Sequence, residues 1–371
     1  MIESVLCVDI GTTSLKAGVI TAKGEVVSFS TSRFADPEDR FIAGKWIQAL
    51  KSALSDIQKV LDSQIKILAL VISGNGPTVV TQSALAVKWN ENFNPEKFGI
   101  NPENMGPSLF LPKILLLKNL FKQDFEETDY IFSGPEFLIY KLTDKAVTIL
   151  PEERFISAYW DNSLLERFQI PQEKMPPFVG IGQVCGNLTK GAADLMKLEE
   201  GLPVISGGPD FVVALIGTKT LKAGRICDRC GSSEGFNYCV PSFIQAPGIR
   251  SLPSVIPGLW NVSLLLPDSS FLSEEERLTF AKKSVSVLKN LSETYKIDFP
   301  EYIIVTGGQA KDSVLMADKA RALGIKLIAC QCKDAELLGD ACAGFKGLGL
   351  FKNLEEAAES LVREEKVYEN L

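Results

Sequence analysis

Short apolar runs alternate with polar turns along this chain, and two stretches of the pattern resemble each other. Residues 4–9 (SVLCVD), 15–21 (LKAGVIT) and 25–30 (EVVSFS) predict three short strands. The turn at Lys23-Gly24 joins the last two as an antiparallel hairpin. Over 40–62, Trp46, Leu50, Leu54, Ile57 and Leu61 recur at spacings of three and four, which predicts an amphipathic helix. "IKILALVISG" (65–74) is a nearly continuous apolar run, the pattern of a strand buried on both faces of a parallel sheet. The chain therefore begins β-β-β-α-β. Residues 75–110, rich in Asn, Pro and Gly, predict loops and short strands. Residues 111–121 and 135–143 predict helices, and 144–180, with Pro151, Pro171, Pro176 and Pro177, predicts irregular structure.

A similar set of elements follows. "GLPVISGGPD" (201–210) is an apolar run into glycines and an aspartate, and "FVVALIG" continues as a helix with Asp210 near its start. "AGRICDRCGSSEGFNYCV" (223–240) predicts a second hairpin. Helices over 273–296, 311–323 and 334–348 then alternate with strands over 302–308 and 325–330. The tail "LEEAAESLVREEKVYEN" (354–370) predicts a polar helix packed on the last domain. A length of 371 residues exceeds one ordinary core. Two domains, 1–205 and 206–371, are expected. Both hairpins run strand, glycine, two hydroxyl residues, strand. The closer literal echo of "GTTSLKAGVI" in "GTKTLKAGRI" (217–226) is set aside, because Gly217 follows a predicted helix rather than a strand.

Composition narrows the chemistry. Hydrophobic residues make up 46% and charged residues 23%, a normal globular mix. Lys plus Arg is 39 against 46 for Asp plus Glu, a net charge of −7, so no nucleic-acid partner is expected. No apolar run is long enough to span a membrane, and "MIESVLCVD" lacks the basic start of a signal peptide. A cytoplasmic location with reduced cysteines is expected. There is no histidine, which excludes a Ser-His-Asp triad, a Cys-His pair and His-ligated metal sites. Base chemistry falls to Asp, Glu, Lys, Tyr or Cys.

Four segments carry candidate chemistry. Asp9 ends the first strand, and Gly11, Thr12 and Thr13 then offer backbone and hydroxyl donors to an anion, with Lys16 adding charge. A carboxylate beside a phosphate cradle is useful through a magnesium ion, which prefers oxygen ligands; the alternative is an ordinary turn aspartate. "GGPDF" (207–211) places Asp210 after a buried strand, as candidate base or as helix N-cap. "CGSSEG" (230–235) offers Gly231, Ser232 and Ser233 to a terminal phosphate, or is a plain serine turn. "VTGGQAKDS" (305–313) lays glycines between a strand and a helix start, a way to bring backbone against adenine or ribose. "CDRC" (227–230) and "CQC" (330–332) read as ordinary buried or edge thiols rather than a zinc or redox site. Trp46 fits the core stripe of its helix, while Trp89, Trp160 and Trp260 read as loop residues able to line a pocket.

In this order the four segments resemble the FGGY family of carbohydrate kinases, within the actin, hexokinase and Hsp70 nucleotide-binding superfamily. The resemblance runs from about residue 4 to 350 and includes "DAELLGDACAGFKGLGL". It implies an α/β fold of two ribonuclease-H-like domains with a central cleft, ATP and Mg²⁺ as cofactors, and phosphoryl transfer to a hydroxyl of a small sugar or polyol. Asp9 and Asp210 are implied at the metal, and Asp210 as catalytic base. Gly11, Thr12, Thr13, Lys16, Gly231, Ser232 and Ser233 are implied at the phosphates, and Gly307, Gly308, Gln309 and Asp312 at the adenosine. Asn75, Gly76, Trp89, Glu91 and Phe211, with Asp210, are implied at the acceptor. The sequence departs from the family where S-G-Q-x-x-G and W-x-D-x-R would stand. Here "SGNGPTVV" (73–80) and "WNEN" (89–92) replace them, Glu91 takes the place of the Asp, and the Arg is missing. The regions 95–160 and 240–300 are also shortened. Two other readings stay open: an ATP-binding regulatory protein with a degraded sugar site, and an ATPase that activates a partner enzyme. A homodimer is compatible with the sequence.

Overall fold

The apolar runs of the first half pair into one sheet, and those of the second half pair into another. The computed structural model describes residues 1–231, 233–266 and 269–369. The chain divides into two compact units: Met1–Ala22, Val26–Phe211 and Ala343–Leu350 form the first; Lys23–Glu25, Val212–Cys342 and Phe351–Leu371 form the second.

In the first unit, β1 (Ile2–Ile10), β2 (Ser14–Thr21) and β3 (Val26–Arg33) form an antiparallel meander. The helix α1 (Ile42–Val60) crosses to β4 (Ile65–Gly74), which lies parallel to β1. Its Trp46 is 2% exposed and meets Phe137 edge-on at 6.1 Å, so the tryptophan is core, as its place in the stripe implies. Helices α2 (Leu111–Leu120) and α3 (Gly134–Thr143) follow, then β5 (Val184–Asn187), α4 (Lys190–Met196) and β6 (Pro203–Pro209). β6 lies parallel to β4, and β5 antiparallel to β6, giving the sheet order β5-β6-β4-β1-β2-β3. Residues 144–180 are not wholly irregular. Asp161 caps a helix over Asn162–Arg167 through its side chain, and Thr148–Ile149 pairs in parallel with Phe178–Val179. The prolines sit between these pieces rather than inside them, which is why the pattern reads as unstructured.

The second unit begins with most of α5 (Asp210–Gly217) and continues into the hairpin β7 (Ile226–Cys230) and β8 (Glu234–Val240). Then come β9 (Arg250–Pro253), β10 (Trp260–Leu266), α6 (Glu274–Tyr295), β11 (Tyr302–Thr306), α7 (Ser313–Leu323), β12 (Lys326–Cys330) and α8 (Ala335–Gly347). The sheet order is β9-β10-β8-β7-β11-β12, with one further strand at the β12 edge. β7, β11 and β12 are parallel, as β1, β4 and β6 are in the first unit. Each sheet thus has a meander on one side and two added parallel strands on the other, the ribonuclease-H-like order. Trp260 lies in a strand, not a loop.

The tail corrects the expectation of a single helix. α9 (Leu354–Leu361) ends at Val362, and β13 (Glu364–Tyr368) pairs antiparallel with β12. Val367 and Tyr368 suit a strand, and β12 offers an edge of unsatisfied backbone groups that a helix would leave bare. α5 and α8 approach backbone to backbone. A side chain on Gly339 would lie 1.9 Å from the Val213 carbonyl oxygen, and one on Gly217 would lie 2.0 Å from that of Ala335. Glycine is required at both, and the contact fixes the helix that starts at Asp210. Among the described residues no helix is long and apolar enough to cross a membrane.

Candidate active site

In the first unit, three neighbouring parallel strands end together. Asp9 of β1 is in register with Ser73 of β4, and Ser73 with Gly208 of β6. Asp9, Asn75 and Asp210 therefore leave the carboxyl ends of adjacent strands, where α/β sheets bind ligands. Asp9 is 4% exposed and faces Lys16 across the β1–β2 ladder. The Gly11 amide donates to the Ser14 carbonyl at 2.9 Å and closes the tight turn that carries Thr12 and the exposed Thr13. Asp210 is the first residue of α5, and its carboxylate accepts from the Phe211 amide at 2.6 Å. The helix-start reading and the chemical reading of Asp210 are thus compatible. The Phe211 ring lies 6.5 Å from that of Phe155.

Gly11, Thr12, Asn75 and Trp89 line one cavity of this unit, together with Thr78 and Lys88, which sequence reasoning missed. Trp89 Nε1 donates to Thr12 Oγ1 at 3.2 Å, Thr12 Oγ1 donates to Asn75 Oδ1 at 3.4 Å, and the Trp89 amide donates to Thr78 Oγ1 at 3.1 Å. A side chain on Gly76 would meet nothing within 4 Å, so the backbone there is open. Glu91 is absent from that lining. One of its carboxylate oxygens accepts from the Lys88 amide at 2.7 Å, and the other pairs with Arg40 at 2.5 Å. Trp160 lines a separate, larger cavity, of about 560 Å³, with Pro176, Pro177 and Phe178.

In the second unit, the Gly231 amide donates to the Ser233 carbonyl at 3.0 Å and closes the β7–β8 turn; Ser232 lies outside the described residues. Gly307 has φ +98°, and a side chain on it would lie 2.7 Å from the Cys230 carbonyl oxygen. Only glycine lets the end of β11 lie against the hairpin. Gln309 Nε2 donates to the Gly231 carbonyl at 3.4 Å, bringing Gly307, Gly308 and Gln309 to the turn. The Asp312 carboxylate caps α7 by accepting from the Val314 and Leu315 amides. Beside Gln309 a small cavity is lined by Arg277, Leu315 and Lys319.

Sequence reasoning also missed a buried charge cluster behind this hairpin. Lys319 is 5% exposed, and its ammonium lies 2.5 Å from Asp228 and 2.7 Å from Glu234, both fully buried. Burial pushes the Glu234 carboxyl up to about 7, and the Asp228 charge adds to the shift against the pull of Lys319. Burial raises Asp228 too. On Lys319 burial acts downward, but the surrounding negative groups outweigh it and the ammonium is raised. The available signal was a lysine on the same helix face as buried Met316 and Ala320.

A further buried acid, Glu136, sits in the first turn of α3. It is 2% exposed, one oxygen accepts from the Ile149 amide at 2.7 Å, and burial raises its carboxyl to about 7. A folded-state value above the unfolded one means the folded protein holds a proton that the unfolded chain releases between about pH 4.5 and 7. Stability from this group is greatest at low pH and is lost as pH rises to 7. Glu136→Gln is expected to match wild type in urea unfolding at pH 4.5 and to exceed it at pH 8, by on the order of 3 kcal/mol. Equal pH slopes for the two proteins would remove the assignment.

The eight cysteines form no disulfide, and burial pushes the Cys330 thiol up to about 11 and that of Cys332 to about 12. Among the described residues no three His, Cys, Asp or Glu side chains gather to hold a metal. Asp9 and Asp210 offer oxygen only. This donor set suits Mg²⁺, which binds through one or two carboxylates together with substrate phosphates.

Residues 60–217 match the N-terminal domain of the FGGY family of carbohydrate kinases. A xylulose kinase from Staphylococcus xylosus is 22% identical over 72% of this chain and 65% of its own, so the chain spans about two thirds of that relative. A xylulose kinase from Bacillus subtilis is 22% identical over 97% of this chain and 91% of its own. The crystal structure of xylulose kinase from Lactobacillus acidophilus superimposes with a TM-score of 0.78, 14% identity and coverage of 99% and 94%, which shows the fold. Strand-end acids on a ribonuclease-H-like sheet, a second glycine hairpin in a sheet of the same order, and these likenesses together make the chain similar to the FGGY family of carbohydrate kinases.

Proposed function

We propose that the protein is an ATP-dependent kinase that transfers the γ-phosphoryl group to a hydroxyl of a small sugar or polyol. The observation that carries this reading is the emergence of Asp9, Asn75 and Asp210 from adjacent strand ends of one sheet. In this reading Asn75 and Trp89 address the acceptor, with the indole as a wall for the C–H face of a sugar. Asp210 accepts the proton of the attacking hydroxyl, as its place at the end of a rigid strand allows. Gly11, Thr12, Thr13 and Lys16 donate to phosphate oxygens, and Asp9 and Asp210 are the carboxylates that would hold Mg²⁺. A bound magnesium would neutralise charge on the phosphates. In the second unit, the turn at Gly231–Ser233 donates to phosphate, and Gly307, Gly308 and Gln309 lie along the nucleoside. Most of the rate gain comes from positioning.

The test is ADP release with ATP and a panel of ketoses, aldoses, polyols and their acids, xylulose included because the relatives above carry its name. Stimulation by at least one compound is the expected result. Tight ATP binding with no stimulation by any compound would overturn the kinase reading in favour of an ATP-binding regulator. The commitment of Glu91 to Arg40 and to its own loop is the observation that favours this second reading.

A further inference from the structure

Behind the Gly231–Ser233 turn, two buried acids share one lysine. Cys230 pairs with Glu234 in the last rung of the β7–β8 ladder, and Asp228 lies two residues before Cys230, so both acids stand on one face of the hairpin. Both are fully buried. Lys319 reaches Asp228 Oδ2 at 2.5 Å and Glu234 Oε1 at 2.7 Å, and its ammonium lies 5.4 Å from the centre of the Phe236 ring on the same face. The second oxygens, Asp228 Oδ1 and Glu234 Oε2, are buried without a hydrogen-bond partner among the described residues. One ammonium does not neutralise two buried carboxylates, and an unpartnered charged oxygen is costly there, so a proton on one acid relieves the site. Glu234 suits that proton: burial and then the Asp228 charge hold its carboxyl up to about 7, against Lys319 and Arg277 of α6. The Cys230 thiol on this face is pushed above its usual range by burial and stays neutral, and β10 presents Leu266 opposite Glu234. Glu274 and Asp318 line the adjoining cavity with Arg277 and Lys319, and Asp318 is half exposed and paired with Arg321.

Glu234 directly follows Ser233, the last residue of the turn. We propose that Glu234 is a positioning residue for the nucleotide phosphates, which the turn takes with Glu234 protonated and resists with Glu234 ionised. This deepens the kinase reading and rests on its placing of phosphate at Gly231–Ser233. With the proton present, Asp228 and Lys319 balance each other behind the turn. Without it, an uncompensated negative charge stands one residue from the phosphates, in a buried site that water screens poorly. The proton goes to Glu234 Oε2, and Oε1 keeps accepting from Lys319, so the hairpin stays tied to α7 in both states. Nucleotide affinity is therefore full below the pH at which Glu234 ionises and falls as pH rises through it. Binding of the phosphates, in turn, strengthens the hold of Glu234 on its proton.

The experiment measures Kd for ADP with Mg²⁺ by calorimetry from about pH 6 to about pH 8.5, in wild type, Glu234→Gln and Asp228→Asn, each in two buffers of different ionisation enthalpy. Between those limits wild type should lose about 10-fold more affinity than Glu234→Gln, whose neutral side chain stands in for the protonated acid. Near pH 7 the wild type should take up a larger fraction of a proton on binding than Glu234→Gln does, a difference that a merely structural role would not produce. Asp228→Asn removes the charge that helps to raise Glu234, so its loss of affinity should set in at lower pH. Thermal melts establish that each variant folds, and Asp228→Asn carries the test where Glu234→Gln does not. Equal pH profiles and proton uptake in wild type and Glu234→Gln, or a profile that Asp228→Asn leaves in place, would overturn the proposal while the kinase reading, tested by ADP release, survives. If ADP does not bind at any pH, both fall together.

Discussion

Asp210→Asn is expected to lower kcat for phosphoryl transfer by about 10²–10⁴-fold, the usual contribution of a positioned general base. The substitution isolates chemistry from structure unusually well here. Asp210 opens α5 and accepts from the Phe211 amide, and an asparagine side-chain oxygen can accept the same bond at a helix start. The backbone behind it is held independently by the β4–β6 register and by the close approach of α5 and α8 at Gly217 and Gly339. The fold and ATP affinity should therefore be close to wild type, with ADP release by a coupled assay as the readout of chemistry and calorimetry as that of binding. Turnover within a few-fold of wild type would mean that another group takes the proton, and the assignment of Asp210 would fail.

Lys319→Met is expected to destabilise the protein by about 3–5 kcal/mol at pH 8, because it leaves Asp228 and Glu234 in the core without a counter-charge. Methionine keeps the stem volume, so the loss reports charge rather than a void. The sign with pH follows from the raised carboxyls. Glu234 is held up to about 7 in the folded state, so the folded protein retains a proton there that the unfolded chain releases above its ordinary value. Stability thus falls as pH rises through that window, and falls more steeply once the ammonium is removed. At pH 5, where the carboxyls take up protons, the variant should recover part of the loss. Urea unfolding at both pH values is the measurement. A Lys319→Met protein as stable as wild type at pH 8 would show that the cluster is not what holds β7, β8 and α7 together.

Much of the candidate site was legible along the chain because its parts are local. A strand that ends at Asp9 and turns on Gly11, Thr12 and Thr13 is written in a few consecutive residues. The same holds for Gly207–Asp210, for Gly231–Ser233 and for Gly307–Gln309. Period and turn chemistry also placed most helices and strands to within a few residues. Asp312 shows the limit of such reading. It sits beside a glycine motif, and its carboxylate also caps α7, a second role that motif adjacency alone does not show. Glu91 is similar: it stands in the expected segment, but Arg40, far earlier in the chain, takes its carboxylate.

The sequence by itself determined the alternation of apolar runs, the two hairpins and the lack of histidine, which leaves base chemistry to Asp, Glu, Lys, Tyr or Cys. These follow from composition and from contacts within a few residues. Only the tertiary structure decided that Val367 and Tyr368 close a sheet edge, that Lys319 meets Asp228 and Glu234, and that Lys88 lies in the wall with Thr12 and Asn75. Those pairings join residues far apart in the chain, and nothing local marks them. A strand edge recruits whatever segment can satisfy its backbone, and a buried charge takes the partner that burial leaves within reach.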